Sequence, residues 1–221
     1  GKKLDVVSAF EAWGERVAGK LSDDDYDNII SNACPGPGAC GGMYTANTMS
    51  SAIEAMGMSL PYNSSNPATS QNKLDEKTKI SKAILNLIKQ DIKPSDILTK
   101  KSIENAVRLI TILGGSTNAV LHILAICKTA DIDFNIDDFQ RISDETPFLA
   151  NLKPSGKYLM EDLHDIGGVP AVMKFMMDNG LIHEECLTVT GKTIKENLKN
   201  VKSFDFNQDI IRPIHNPIKS S

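Results

Sequence analysis

The chain has 221 residues, of which 41% are hydrophobic and 24% charged, and its formal net charge is −4. This balance excludes a broad nucleic-acid-binding face, which needs a large surplus of Lys and Arg. The longest apolar run, residues 119–127, is far shorter than the roughly 20 residues that span a bilayer. Four cysteines are too few and too dispersed for a secreted disulfide framework. With no signal peptide at the start of the sequence, we expect a cytoplasmic protein.

Apolar residues recur at helical spacing along most of the chain, in segments separated by Gly, Pro and capping residues. Ser22 is a predicted N-cap, and Gly114 is a predicted helix stop. The predicted helices carry their apolar faces at positions 6/10/13/17, 26/29/30, 49/52/53/56, 80/83/84/87/88, 103/106/107/110, 137–142 and 169/172/173/176.

Other segments give different patterns. Residues 119–127 are apolar on almost every side, which predicts a fully buried element with His122 as a core histidine. Residues 148–152 and 186–190 are candidate strands. From residue 203 onward the helical period stops and Pro213 and Pro217 appear, which predicts a linker or the first strand of another domain.

The strongest chemical feature is the loop Pro35-Gly-Pro-Gly-Ala-Cys40-Gly-Gly42. Backbone N–H groups of glycine-rich loops bind anions, and a helix starting just beyond Cys40 would stabilise its thiolate. Cys40 is therefore a candidate nucleophile or metal-cluster ligand, while a structural cysteine in a tight turn remains the alternative. Cys34 lies at a spacing that matches no zinc or ferredoxin pattern. Cys127 and Cys186 are expected in the core.

A second candidate site is Gly114-Gly-Ser-Thr-Asn118, a glycine break before an apolar helix. Such helix starts bind carboxylates and phosphates, although many helices begin this way without binding anything. A third cluster, residues 161–165, surrounds His164 with carboxylates. We expect a solvated helix face there, with a metal site as the alternative.

Three long strings make the chain resemble the dihydroxy-acid dehydratases, a family related to the 6-phosphogluconate and sugar-acid dehydratases. They are Cys40-Gly-Gly-Met-Tyr-Thr-Ala-Asn-Thr-Met49, Gly114-Gly-Ser-Thr-Asn-Ala-Val-Leu-His122 and Lys153-Pro-Ser-Gly-Lys-Tyr-Leu-Met-Glu-Asp-Leu-His-Asp-Ile-Gly-Gly168. The resemblance implies a hydro-lyase of branched-chain amino acid biosynthesis that converts 2,3-dihydroxy-3-methyl acids to 2-keto acids. It also implies an α/β, helix-dominated fold, with this chain as the back part of the N-terminal α/β/α domain.

The resemblance carries cofactors and site residues with it. The family binds an iron–sulfur cluster through three cysteines, and Cys40 matches the third. A [2Fe–2S] cluster is favoured over [4Fe–4S], and Mg²⁺ is expected beside it. Ser116, Thr117 and Asn118 are the expected substrate-binding residues. Residues 1–202 would belong to the cluster-binding domain, and residues 203–221 to the linker and the start of the C-terminal domain.

The sequence also departs from the family. It has no Cys-Asp-Lys motif for the second cluster cysteine and Mg²⁺, and no C-terminal domain with the catalytic serine. We therefore expect an internal fragment with no catalytic residue of its own, which alone binds no stable cluster and is inactive. The full-length enzyme is expected to form a homodimer or higher homo-oligomer. The alternatives are a sugar-acid dehydratase and a non-catalytic interaction module.

Overall fold

A computed structural model describes residues 4–33 and 41–220 of the chain. Within these ranges the fold is dominated by helices, as the sequence predicts. In chain order they are α1 (Val6–Val17), α2 (Asp23–Asn32), α3 (Thr45–Ala55), α4 (Gln71–Gln90), α5 (Pro94–Ile97), α6 (Lys100–Leu113), α7 (Asn118–Thr129), α8 (Ile136–Asp144), α9 (Met160–Asp165), α10 (Gly168–Asp178) and α11 (Ile194–Leu198).

Helix α6 lies at the centre of the core. A capping box between Thr99 and Ser102 starts it, and Gly114 ends it in the left-handed conformation, at φ 67°. An L side chain is disfavoured there, and a Cβ on this glycine would also lie 2.4 Å from the ring of Phe148. Helices α3 and α8 pack against α6, and α7 packs against α3 and α8. The core therefore holds the ends of α3, α6 and α7 in fixed positions.

The two candidate strands are not strands in the described part of the chain. Residues 148–152 instead make isolated bridges: Phe148 with Lys219, Ala150 with Ile211, and Leu152 with Tyr158. In residues 186–190 one bridge forms, between Leu187 and Thr193. The prediction was wrong because an apolar run needs a neighbouring strand along its length to form a ladder, and the neighbouring segments here pair at single positions.

The prediction of full burial for residues 119–127 was also wrong. They form most of α7, and Ala119, Ile123 and Cys127 face the core. Leu121 is 71% exposed, and His122 is exposed as well. The buried positions recur every four residues, so α7 covers the core with one side only.

Residues 203–220 lie against the same core as the helices. Phe204, Ile210 and Ile211 are buried in it, and Ile211 pairs with Ala150. The division into residues 1–202 and 203–221 stays a prediction, since burial alone does not decide where a second domain starts.

Helices α1 and α4 keep apolar faces in contact with solvent. On α1, Phe10 and Val17 are exposed, and on α4 so are Ile84 and Ile88. The helical periods were predicted correctly, yet these faces have no covering element among the described residues. None of the described helices is both long and apolar enough to cross a membrane.

Candidate functional site

The segment that follows Cys40 in the chain is held tightly against residues 153–160. Cys40 itself lies outside the described residues. The carbonyl of Gly41 accepts from the Met160 N–H at 2.7 Å, and the Met43 N–H donates to the Lys153 carbonyl at 2.6 Å. A Cβ on Gly42 would lie 3.0 Å from that same carbonyl oxygen and 2.6 Å from the Tyr44 ring. Glycine is therefore required at position 42 for this close approach.

The three substrate-binding candidates lie beside the start of α3. The Ser116 Oγ is 3.2 Å from the Thr45 Oγ1, and the Asn118 Nδ2 donates to the Thr45 Oγ1 at 2.8 Å. The Ser116 N–H donates to the Thr48 Oγ1 at 2.9 Å. The structure thus joins residues 116–118 to the first turn of α3 through a hydroxyl and amide network.

Two helix N-termini meet at this network. Helix α3 begins at Thr45, and α7 begins at Asn118. The N-cap of α7, Thr117, makes no side-chain cap hydrogen bond, while the Ser116 Oγ accepts from the Asn118 N–H at 3.3 Å. Each N-terminus carries a partial positive charge of about +0.5. The predicted helix start is confirmed, and the region is suited to an anionic or hydroxylated ligand.

Lys153 ties this region to the N-terminal helices. Its ammonium forms an ion pair with Asp5, the N-cap of α1. The hydrogen bond from Lys153 lowers the pKa of the Asp5 carboxyl, and the Ser8 N–H lowers it further. Lys153 therefore contacts the start of α1 through its ammonium and Met43 through its carbonyl.

A buried carboxylate lies on the same helix as Thr45 and Thr48. Glu54, on α3, is 4% exposed and accepts hydrogen bonds from the Tyr62 N–H at 2.8 Å and from the Ser64 N–H at 3.0 Å. The Ser64 hydroxyl donates to it at 2.6 Å. Burial raises the pKa of Glu54 to about 7, although these donors lower it. Glu54 thus anchors the loop between α3 and α4.

Comparison with known proteins decides the family. The family model described as dihydroxy-acid/6-phosphogluconate dehydratase, N-terminal, matches residues 1–197. The chain belongs to this dehydratase family. It is 60% identical to the dihydroxy-acid dehydratase of Lactococcus lactis subsp. cremoris (strain MG1363) over 222 residues, which is 100% of this chain and 39% of the relative.

Other relatives of this dehydratase family give the same result. The identity is 57% over 221 residues with the dihydroxy-acid dehydratase of Cytophaga hutchinsonii, covering 100% of this chain and 39% of the relative. It is 56% over 220 residues with the chloroplastic dihydroxy-acid dehydratase of Arabidopsis thaliana, covering 100% of this chain and 36% of the relative. The chain spans well under half the length of these relatives.

The described residues do not bring together a set of metal-ligating side chains. Residues 4–33 and 41–220 contain no group of three His, Cys, Asp or Glu side chains that could hold an ion. Cys127 and Cys186 are buried free thiols, and burial raises the pKa of both, that of Cys186 to about 11. They are core residues, as expected. His164 has a buried Nδ1 without a hydrogen-bond partner.

Thr45 and Thr48 are the residues that sequence reasoning missed. Both lie in the string that follows Cys40, yet only residues 116–118 were expected to bind substrate. Spacing carries no signal for this contact, since Thr45 and Ser116 are 71 positions apart. The available signal was chemical: two hydroxyls one turn apart at a helix start that follows a glycine-rich loop.

Proposed function

We propose that the chain is part of a dihydroxy-acid dehydratase, a hydro-lyase that converts 2,3-dihydroxy-3-methyl acids to 2-keto acids. The observation that carries the proposal is the meeting of two helix N-termini, those of α3 at Thr45 and α7 at Asn118. Of the two, α3 is the helix that follows the Cys40 loop in the chain. The names and the 54–60% identities of relatives that cover the whole chain support the same activity.

The residues of this chain bind and orient the substrate in this proposal. A dihydroxy acid offers a carboxylate and two hydroxyls, and the Thr45–Ser116–Asn118 network offers hydroxyls, an amide and N-terminal backbone dipoles. Side chains already fixed by mutual hydrogen bonds lose little freedom when the ligand binds, which favours a defined orientation. We assign no proton transfer to these residues.

The proposal includes an iron–sulfur cluster, [2Fe–2S] rather than [4Fe–4S], and Mg²⁺. In this proposal the chain contributes Cys40 as one cluster ligand. The other ligands would come from sequence beyond the 221 residues. In hydro-lyases a bound metal ion supplies a Lewis acid that polarises oxygen.

Replacing Cys40 in the full-length enzyme tests the proposal. We expect Cys40→Ser to lose iron, acid-labile sulfide and turnover of 2,3-dihydroxy-3-methylbutanoate together. Cys186→Ser is the matched control, because that thiol is buried in the core, and it should keep the cluster. Normal iron content and turnover in Cys40→Ser would refute the assignment.

A second variant separates ligand binding from cluster binding. Thr117→Val removes a hydroxyl at the start of α7 while the cluster ligands stay in place. We expect reduced dehydratase activity with unchanged iron content. Wild-type kinetics would remove Thr117 from the substrate site.

Two other functions give different results in the same assays. A sugar-acid dehydratase would turn over aldonic acids in preference to the branched acid when the two compete. A non-catalytic interaction module would turn over neither. We propose a cytoplasmic homodimer or higher homo-oligomer, which fractionation of cells and the solution mass of the full-length enzyme would test.

A further inference from the structure

An open groove lies beside residues 116 and 117, on the side of α8. It has a volume of about 370 Å³ and is lined by the C-terminal end of α6, the start of α7 and one side of α8. That volume falls within the range of small-molecule sites in proteins. The groove shares Ser116 with the network described above, so it continues from the polar site.

The two ends of the groove differ in chemistry. Ser116 and Thr117 form the end next to the network, while Ile110, Val120 and Phe139 are among the residues that line the rest of it. Phe139 is fixed by an edge-on contact with the ring of Phe134, at 6.2 Å between centroids. The apolar end is thus preformed rather than assembled by a ligand.

Thr111, Gln140 and Ser143 are the polar side chains in the rest of the lining, and Gln140 and Ser143 lie exposed on α8. The hydroxyl of Thr111 donates to the Val107 carbonyl inside α6 at 2.8 Å. Among the described residues that line the groove, none is charged. The side chains of Ile110, Val120 and Phe139 offer a ligand hydroxyl no hydrogen bond, so placing a hydroxyl against them is less favourable than placing an alkyl group there.

We propose that this groove binds the alkyl branch of the substrate and that Val120 determines specificity for aliphatic over polyhydroxylated acids. The inference rests on the proposed dehydratase function. A 2,3-dihydroxy-3-methyl acid has one polar end and one alkyl end, which match the two ends of the groove. A sugar acid carries a hydroxyl on each chain carbon and would place at least one of them against Val120 or Phe139.

Two substitutions at Val120 in the full-length enzyme test the inference. Val120→Thr keeps the shape and adds a hydroxyl, and we expect it to lower kcat/KM for 2,3-dihydroxy-3-methylbutanoate about tenfold, mostly through KM. Val120→Leu adds one methylene and narrows the groove beside Val120. It should reduce kcat/KM for 2,3-dihydroxy-3-methylpentanoate about tenfold more than for the butanoate, because one methylene discriminates by about that factor.

Leu121→Thr is the matched control. Leu121 is the next residue on α7 and is 71% exposed, so an apolar-to-Thr substitution there adds a hydroxyl outside the groove. We expect its substrate preference and iron content to equal those of the wild type. Iron content and thermal unfolding of both Val120 variants show that each is folded.

The outcomes separate the two proposals. If the wild type turns over neither branched acid, the proposed function fails. If it turns over both acids while the folded Val120 variants keep wild-type KM values and substrate ratios, the function stands and the groove assignment is refuted. Equal changes in Leu121→Thr and Val120→Thr would also refute it.

Discussion

The carboxyl group of Glu54 makes the stability of the fold depend on pH near neutrality. Burial raises its folded-state pKa from 4.5 to about 7. The unfolded chain therefore releases this proton at a lower pH than the folded chain, and folding becomes less favourable as the pH rises from 4.5 through 7. Between pH 5 and pH 8 this single group lowers the free energy of unfolding by about 2.5 kcal/mol.

Replacing Glu54 by Gln removes that titration while keeping the side-chain volume. The Gln variant loses some stability at pH 5, because its amide nitrogen replaces an acceptor of the Tyr62 or Ser64 donors. Relative to the wild type it should then gain about 2.5 kcal/mol on going from pH 5 to pH 8. Glu161→Gln, at an exposed position on α9, is the matched control for the same change of side chain at the surface.

Urea unfolding of the 221-residue chain at pH 5, 6, 7 and 8 measures this difference. The free energy of unfolding of each variant is compared with that of the wild type at the same pH, so that other titrating groups cancel. Parallel curves for the wild type and Glu54→Gln would show that Glu54 is not protonated in the folded chain near neutrality. The reasoning from burial would then be refuted.

Three further substitutions test separate contacts. Gly114→Ala should destabilise the chain by at least about 2 kcal/mol in urea unfolding, because the new Cβ combines a left-handed backbone with a steric clash. Gly180→Ala is the control and should cost about 1 kcal/mol, since Gly180 has φ 69° but open space around it. Equal losses in the two variants would contradict the clash. Lys153→Met should cost about 1 kcal/mol at pH 7 and progressively less as the pH falls below 3.8, since the lowered pKa of Asp5 gives stability that is lost as this carboxyl becomes protonated in the folded chain; a loss independent of pH would exclude the ion pair as its cause. Thr48→Val removes the hydroxyl that accepts from the Ser116 N–H and should lower the free energy of unfolding by about 1–3 kcal/mol. We also expect reduced turnover in the full-length enzyme. An unchanged free energy of unfolding would show that this hydrogen bond does not stabilise the fold.

Local signals predicted the helices well. Ser22 caps α2 through its side chain, and Gly114 ends α6, because caps and stops act over one turn and leave a residue-level mark in the sequence. No such local signal predicts which side of α7 faces solvent. Leu121 is as apolar as Ile123, and only the position of the neighbouring helices decides which of the two is covered.

The candidate site was predicted only in part, because some of its residues carry a local signal in the sequence and others do not. Residues 116–118 carry a local signal, a glycine break before a helix, and were identified. Their hydrogen-bond partners on α3 were not, since the contact joins segments far apart in the chain. The burial of Glu54 had no signal at all, because a glutamate on a helix is usually solvated.

The end of α6 has a consequence for how the chain opens. The carbonyl oxygen of Ile112 accepts from the Leu149 N–H at 3.1 Å and from the Ala150 N–H at 3.0 Å. Leu149 and Ala150 are fully buried, so these two amides can exchange their hydrogens with solvent only when residues 149 and 150 separate from the end of α6. We therefore expect them to exchange as slowly as amides inside α6, while amides on the solvent side of α4 exchange orders of magnitude faster. Residues 149 and 150 would then report global unfolding, although they belong to no regular element.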